Sequence, residues 1–306
     1  MTRISLLATG GTIACTTDSS GALSPTITGT ELAEHVQDLL PAHITLSVRE
    51  LTQLDSSAIT LSELDALINA IQEELANPEV AGVVVTHGTD SMEDTALAVD
   101  IFHQQDAPVV LTGAQRAFDH PSSDGPGNLL EAIELAADPL ARGQGVLIAF
   151  GGWTIPARGA AKRHTNEIDA FISTTPIEVS RPAALSPASL SGIFVPVIAA
   201  WPGSGRELID AALAAGAQGL IVEGLGSGNT GPQMGAGIQD ALAQGIPVVI
   251  TTRVPAGEVA LAYAGAGGGS VLAAAGAVGA GYLRAGQARI VLIAALATGV
   301  DVRTLL

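Results

Sequence analysis

Hydroxyl groups stand beside glycines at several points in the first half of this chain, each time after an apolar run of strand length. Ile4–Ala8 leads into Thr9-Gly10-Gly11-Thr12-Ile13-Ala14. Gly82–Val85 leads into Thr86-His87-Gly88-Thr89-Asp90-Ser91-Met92-Glu93-Asp94-Thr95-Ala96. Pro108–Leu111 leads into Thr112-Gly113-Ala114-Gln115-Arg116, with Ser123-Asp124-Gly125-Pro126-Gly127-Asn128 shortly after. Glycine lets a backbone approach a ligand closely and turn N–H groups toward developing negative charge. A threonine hydroxyl beside such a turn is a weak nucleophile until a base takes its proton. Taken alone, Gly10-Gly11 reads as a simple turn. The third glycine of a dinucleotide fingerprint is missing, and no Gly-Lys-Ser/Thr of a phosphate loop occurs anywhere.

Other reactive residue types carry blander readings. His87 reads as an oriented scaffold histidine rather than a general base, and Arg116 as a buttress. Asp119, His120 and Asp124 have no spacing typical of metal ligands, so no metal and no cofactor is expected. Cys15, the only cysteine, has no basic or histidine-rich context to activate a thiolate and no partner for an intrachain disulfide. Trp153 and Trp201 read as core or interface aromatics.

Positioning such groups needs a scaffold, and its elements alternate. Strand-like runs at Ile4–Ala8, Ile44–Leu51, Gly82–Thr86, Pro108–Thr112 and Gly145–Phe150 are interspersed with helices. Leu61, Leu64, Leu67, Ile68, Ile71 and Leu75 share one face of a helix over Leu61–Ala76, which Thr60 and Glu63 open with a capping box and Asn77-Pro78 stops. Met92–His103 and Asn128–Ala137 are further helices. The pattern predicts a mostly parallel sheet covered on both faces, with ligands bound beyond the carboxyl ends of its strands. Arg181–Gly192 reads as a linker. A second series follows: Ile193–Ala199, helix Arg206–Ala215, strand Gly219–Val222, helix Gln233–Gln244, strand Ile246–Thr251 and the apolar segment Arg289–Ala297. The expectation is α/β with two α/β domains, a larger N-terminal one over 1–185 with a mostly parallel sheet and a smaller C-terminal one over 186–306.

The 306 residues, 47% of them hydrophobic, suffice for two cores. Thirteen basic against 30 acidic residues give a net charge of −17, which disfavours nucleic acid and anionic membranes as partners. Val259–Leu283 has no charged residue and the length of a membrane span, yet its glycines predict a loop with a small buried helix. No leader is read at the start, so the expected location is cytoplasmic.

Together the motifs resemble the bacterial asparaginase and glutaminase family, closer to its cytoplasmic branch. ATGGTIA at 8–14 and THGTDSMEDTA at 86–96 are similar to the family's two signatures, and PVVLTGAQR at 108–116, DGPGNL at 124–129 and TTRVPAG at 251–257 extend the likeness in order. The resemblance implies two α/β domains and hydrolysis of L-asparagine to L-aspartate and ammonia through threonine nucleophiles, with minor glutaminase activity beside it; the residues themselves leave the preference between asparagine and glutamine open. It implies Thr12 and Thr89 as catalytic threonines, Asp90 as the acid that holds the substrate ammonium, and Lys162 as completing the Thr–Lys–Asp set. It assigns Ser56 to the substrate carboxylate, with Ser57 beside it, and Asn229 to a second-domain position presented by a neighbouring subunit. A homodimer or homotetramer follows from that last assignment. As base, Lys162 would need a partly neutral amine, which Asp90 opposes; as a relay it would not. Both roles stand.

The chain departs from the secreted branch in three ways. The loop Thr16–Thr26 has no tyrosine, its nearest equivalents being Ala22 and Pro25; Ser57 replaces a glutamine; and Ala260–Ala280 holds no acid. Two other functions fit the same fold: a component of a tRNA-dependent amidotransferase and a non-catalytic amino-acid-binding module.

Overall fold

The hydroxyl–glycine segments all leave the same edge of one sheet. In the computed structural model, which describes residues 1–177 and 179–306, the first half runs β1 (Thr2–Gly10), β2 (Cys15–Thr17), β3 (Leu23–Pro25), α1 (Gly29–Gln37), β4 (Ile44–Leu54), α2 (Leu61–Leu75), β5 (Val80–Thr86), α3 (Met92–Phe102), β6 (Val109–Thr112), α4 (Gly125–Ala137), β7 (Val146–Phe150), β8 (Trp153–Pro156), β9 (Ala160–Lys162) and β10 (Phe171–Ser173). The main sheet has the order β4-β1-β5-β6-β7-β8 among the described residues. Its pairs are parallel up to β7, and β8 closes it antiparallel. The chain goes from β1 to β4 on one side, then crosses to β5 on the other side of β1. Strand order therefore reverses between β1 and β5, the crevice where open parallel sheets bind ligands.

Burial explains the sequence pattern. Val83, Val84 and Val85 are all fully buried because a parallel strand is covered on both faces. On one face Ile4, Leu6 and Val84 meet Leu32 and Val36 of α1 and Leu129 and Ile133 of α4. On the other, α2 packs against β5 and α3. The capping box of α2 is present, with Thr60 N–H donating to Glu63 Oε2 at 2.6 Å. Helix α1 is not announced by periodicity, although Thr28 and Glu31 form the same reciprocal cap. Such a cap typically contributes about 1 kcal/mol.

The second half runs β11 (Val197–Ala199), α5 (Glu207–Ala214), β12 (Leu220–Gly224), α6 (Pro232–Ala243), β13 (Val248–Thr252), α7 (Gly269–Ala274), β14 (Val278–Gly279) and α8 (Ala285–Thr298). Its sheet, β11-β12-β13-β14, is parallel throughout. Ile198, Leu220, Val222 and Ile250 share a core with Ile209, Met234, Ile238 and Leu272. The apolar segment 289–297 lies inside α8, and the glycine-rich stretch 259–283 folds as loops around α7, whose Leu272 is fully buried, and the short strand β14. Among the described residues no helix is long and apolar enough to cross a membrane.

The chain divides into two compact units: Met1–Ser173 with Ala183–Leu185, and Thr174–Pro182 with Ser186–Leu306. Segment 174–182 belongs to the second unit, where Thr174 Oγ1 donates to Tyr282 O at 2.9 Å. The architecture is α/β, with a mostly parallel sheet in the larger first unit and a smaller α/β unit after it.

Candidate active site

Close backbone contact brings three strand ends together. A Cβ on Gly11, which has φ +82°, would lie 2.3 Å from Gly88 N, and a Cβ on Gly88 would lie 2.6 Å from Ser56 Oγ. Only glycine permits either approach. The turns after β1, β5 and β4 are thereby stacked, and these turns carry Thr12, Thr89 and Ser56. Further bonds fix them: Gly11 N–H donates to Leu54 O at 3.1 Å, and Thr9 Oγ1 to Thr86 O at 2.8 Å.

Around Ser56 the contacts are specific. The buried Ser56 Oγ accepts the Asp90 N–H at 3.1 Å, and Ser91 Oγ donates to Ser56 O at 2.7 Å. With one lone pair engaged, the Ser56 hydroxyl keeps its own proton to donate. Ser57 is exposed in the same short turn. Thr12 is partly exposed at the start of a single 3-10 turn, and its hydroxyl has no hydrogen-bond partner among the described residues.

Lys162 ends β9. Its Nζ donates to Thr89 Oγ1 at 2.8 Å and to Asp90 Oδ1 at 3.0 Å. The lysine side chain is 17% exposed and that of Asp90 65%, so the ammonium is largely shielded while the carboxylate faces water. The sequence contains no other lysine; the remaining twelve basic side chains are arginines. Composition shows this at once, and it marks Lys162 more sharply than any motif does. Glu93, which sequence reasoning passes over, stands against Lys162. Its Oε2 accepts the Lys162 backbone N–H at 2.8 Å. Burial, with Asp94 adding, pushes its carboxyl up to about 7, against an opposing pull from Lys162.

Several other residues singled out in the sequence hold the scaffold around these turns. His87 is fully buried, its Nδ1 lies 2.7 Å from Gly88 O, and burial lowers its pKa to about 4. An Nδ1–H donating to that carbonyl leaves a neutral ring near pH 7. Cys15 is buried with its thiol pKa raised, chiefly by burial. Asp124 accepts the N–H groups of Gln115 and Arg116 at 3.0 and 2.9 Å, which locks the turn after β6. Asp119 accepts Thr17 N–H, and His120 Nδ1 accepts Ser122 N–H. Asp119, His120 and Asp124 thus hold loops, and no cluster of three metal-ligating residue types occurs among the described residues. Trp153 and Trp201 are 64% and 47% exposed, so neither is a core residue. In the second unit Asn229 Oδ1 accepts Gly269 N–H at 3.2 Å, joining its turn to the start of α7.

A lysine bearing on a threonine hydroxyl, at the switch point of a parallel sheet, defines an α/β protein equipped for hydroxyl-based chemistry. Comparison with known proteins narrows this class. Residues 3–183 match the family model described as asparaginase, N-terminal, and residues 194–305 that of the glutaminase/asparaginase C-terminal domain. A probable L-asparaginase from Deinococcus radiodurans is 35% identical over 318 residues, covering 97% of this chain and 94% of that protein. A glutamyl-tRNA(Gln) amidotransferase component from Methanopyrus kandleri is 33% identical over 289 residues, covering 84% of this chain and 62% of its own length. The crystal structure of a probable cytoplasmic L-asparaginase from Campylobacter jejuni superposes with a TM-score of 0.88 at 29% identity, covering 100% of this chain and 98% of that one. This chain belongs to the asparaginase family.

Proposed function

We propose that the protein is an L-asparaginase, an amidohydrolase that converts L-asparagine to L-aspartate and ammonia with threonine nucleophiles. The observation that carries this reading is the Lys162 Nζ–Thr89 Oγ1 hydrogen bond of 2.8 Å beside Asp90. A threonine oxygen attacks the side-chain amide carbon, and the carbonyl electrons move onto oxygen. Backbone N–H groups near Thr89 receive that oxyanion; one such donor is typically worth about 3–4 kcal/mol of barrier. Collapse breaks the C–N bond, the leaving nitrogen takes a proton and departs as ammonia, and water then cleaves the acyl-threonine ester. Two threonines serve the chemistry, Thr12 and Thr89, with Lys162 orienting Thr89 and relaying its proton: the ammonium passes one proton to Asp90 as it takes the threonine's.

Substrate capture uses the same strand ends. The water-facing carboxylate of Asp90 holds the substrate ammonium, and the free proton of Ser56, with Ser57 beside it, binds the substrate carboxylate. Asn229 completes the site from a neighbouring subunit, so the working form is a homodimer or homotetramer. Cytoplasmic action is proposed from the likeness to the Campylobacter protein. Glutamine differs by one methylene, worth about 1–3 kcal/mol of discrimination, and is a lesser substrate.

The test is ammonia release from asparagine by pure protein whose light-scattering mass is a multiple of 30.7 kDa, without added tRNA. Absence of release would remove the proposal in favour of amidotransferase or amino-acid-binding roles, and a fully active monomer would remove the shared site.

A further inference from the structure

Because Lys162 is the only lysine, the site's amine chemistry depends on how one residue is held. Its side chain is fixed by Thr89 and Asp90, but its backbone is fixed from another direction. β9 pairs with β10 along one edge, where Arg163 N–H donates to Ala170 O at 2.7 Å. Successive N–H groups of an antiparallel strand point to opposite edges, so the Lys162 N–H faces away from β10. No strand pairs with that edge among the described residues. The Glu93 carboxylate takes the position of a strand carbonyl there, at 2.8 Å. Glu93 is the second residue of α3, and Thr89 and Asp90 stand in the turn that enters this helix. One short segment therefore grips Lys162 twice: by the ammonium through Thr89 and Asp90, and by the backbone through Glu93.

We propose that Glu93 is a positioning residue of the amidohydrolase site, whose carboxylate, by accepting the Lys162 N–H, sets where the ammonium meets Thr89 Oγ1. For the reaction it serves, this rests on the function proposed above; the tether itself does not. A packing role alone would favour a neutral side chain, since even a partly buried carboxylate without full compensation is costly. The charged groups acting on Glu93 are Asp94 on α3, which disfavours its ionised form, and Lys162 on β9, which favours it. Ionised, it accepts a shorter and stronger hydrogen bond than a neutral amide, and the start of α3 adds a favourable dipole. The Lys162 N–H thus senses the charge of Glu93 directly.

The single lysine makes the test clean. Protein labelled with 15N-lysine has one lysine backbone amide, the one Glu93 holds. Its resonance is expected to move with pH around a midpoint of about 7 in the wild type and to stay flat in Glu93→Gln, where Asp94 is still present. Glu93→Ala is expected to lower kcat on asparagine at least about tenfold, since small displacements of reacting groups are costly, while KM changes less than about twofold. Glu93→Gln retains an acceptor and should restore kcat to within about threefold of wild type. A wild-type resonance that ignores pH, an unchanged titration in Glu93→Gln, or a wild-type kcat in Glu93→Ala would each overturn the proposal. If Glu93→Ala does not fold, the resonance in Glu93→Gln still decides. If the wild type releases no ammonia from asparagine, the functional reading fails while the amide titration still judges the tether.

Discussion

The Lys162 ammonium donates to Thr89 Oγ1 and Asp90 Oδ1 at once, so one shielded cation orients a hydroxyl and neutralises a carboxylate. The Thr12 hydroxyl, by contrast, is free to meet a ligand. Groups acting as a unit are strongly non-additive, and both Thr12→Ala and Thr89→Ala are expected to drop kcat below about a tenth of wild type with the fold intact. Steady-state kinetics with circular dichroism checks this; retention of more than that by both variants would refute the nucleophile assignment. Thr12, Thr89 and Asp90 stand inside the two long motifs, whereas Ser56 and Lys162 lie outside every motif and are singled out only by the family resemblance. Glu93 lies in a motif too, yet its role is hidden. Its contact lies 69 residues along the chain and depends on which edge of β9 is unpaired, which no local pattern encodes.

At the scale of elements, the segment after Thr12 is the hairpin β2–β3, turned by Asp18, whose Oδ1 accepts the N–H groups of Ser20 and Ala22 at 2.8 and 3.0 Å. It carries no tyrosine, and Ser57 and a stretch without acids stand where the secreted branch has a glutamine and a glutamate. A lost hydrogen bond to a charged group is worth roughly 1.5–3 kcal/mol, so asparagine capture should be weak, with KM toward the millimolar end of the usual range of about 1 μM to 1 mM. Kinetics on asparagine decide this, a low-micromolar KM contradicting it. A tyrosine at Ala22, which is exposed, or at Pro25, opposite Cys15 in the hairpin, should raise kcat/KM if the deficit is real. Long, periodic elements such as α2 and β5 are legible from pattern. The three-residue strands β2, β3, β9 and β10 exist only through their pairing and leave no period to read. Helix α1 is the instructive omission, since its Thr28–Glu31 cap is visible in the sequence.

Two titrating groups, the fully buried His87 and the partly buried Glu93, impose opposite pH slopes on the whole molecule. His87 is lowered to about 4, so the unfolded chain binds a proton that the folded one refuses, and stability falls as pH drops from about 6.5 to about 4. Glu93 is raised to about 7, so the folded state holds the extra proton, and stability falls as pH rises from about 4.5 to about 7. Between about 4.5 and 6.5 the two slopes oppose one another. Replacing Glu93 by Gln removes the second slope alone. Urea denaturation of Glu93→Gln and wild type across this range should show the variant gaining relative stability as pH rises. The ideal single-group slope is about 1.4 kcal/mol per pH unit, levelling above about 7 after an ideal total of roughly 3 kcal/mol. A difference independent of pH would mean that Glu93 ionises normally. The α/β class is readable from alternating elements, whereas the order β4-β1-β5, which creates the crevice, is not, because strand order is set by crossovers rather than by any strand's own residues.

The chain's economy in lysine also governs where it can be cut. A protease specific for lysine has one target bond, between Lys162 and Arg163, and would yield only the fragments 1–162 and 163–306. That bond lies at the end of a paired strand, its backbone bonded to Glu93 on one side and beside the Arg163–Ala170 contact on the other. Cleavage therefore requires β9 to detach. The rate of this single cut, when reclosing outpaces cleavage, reports the free energy of opening the proposed active site alone. A ligand that bridges Thr89 and Asp90 would slow it without taking part in any reaction.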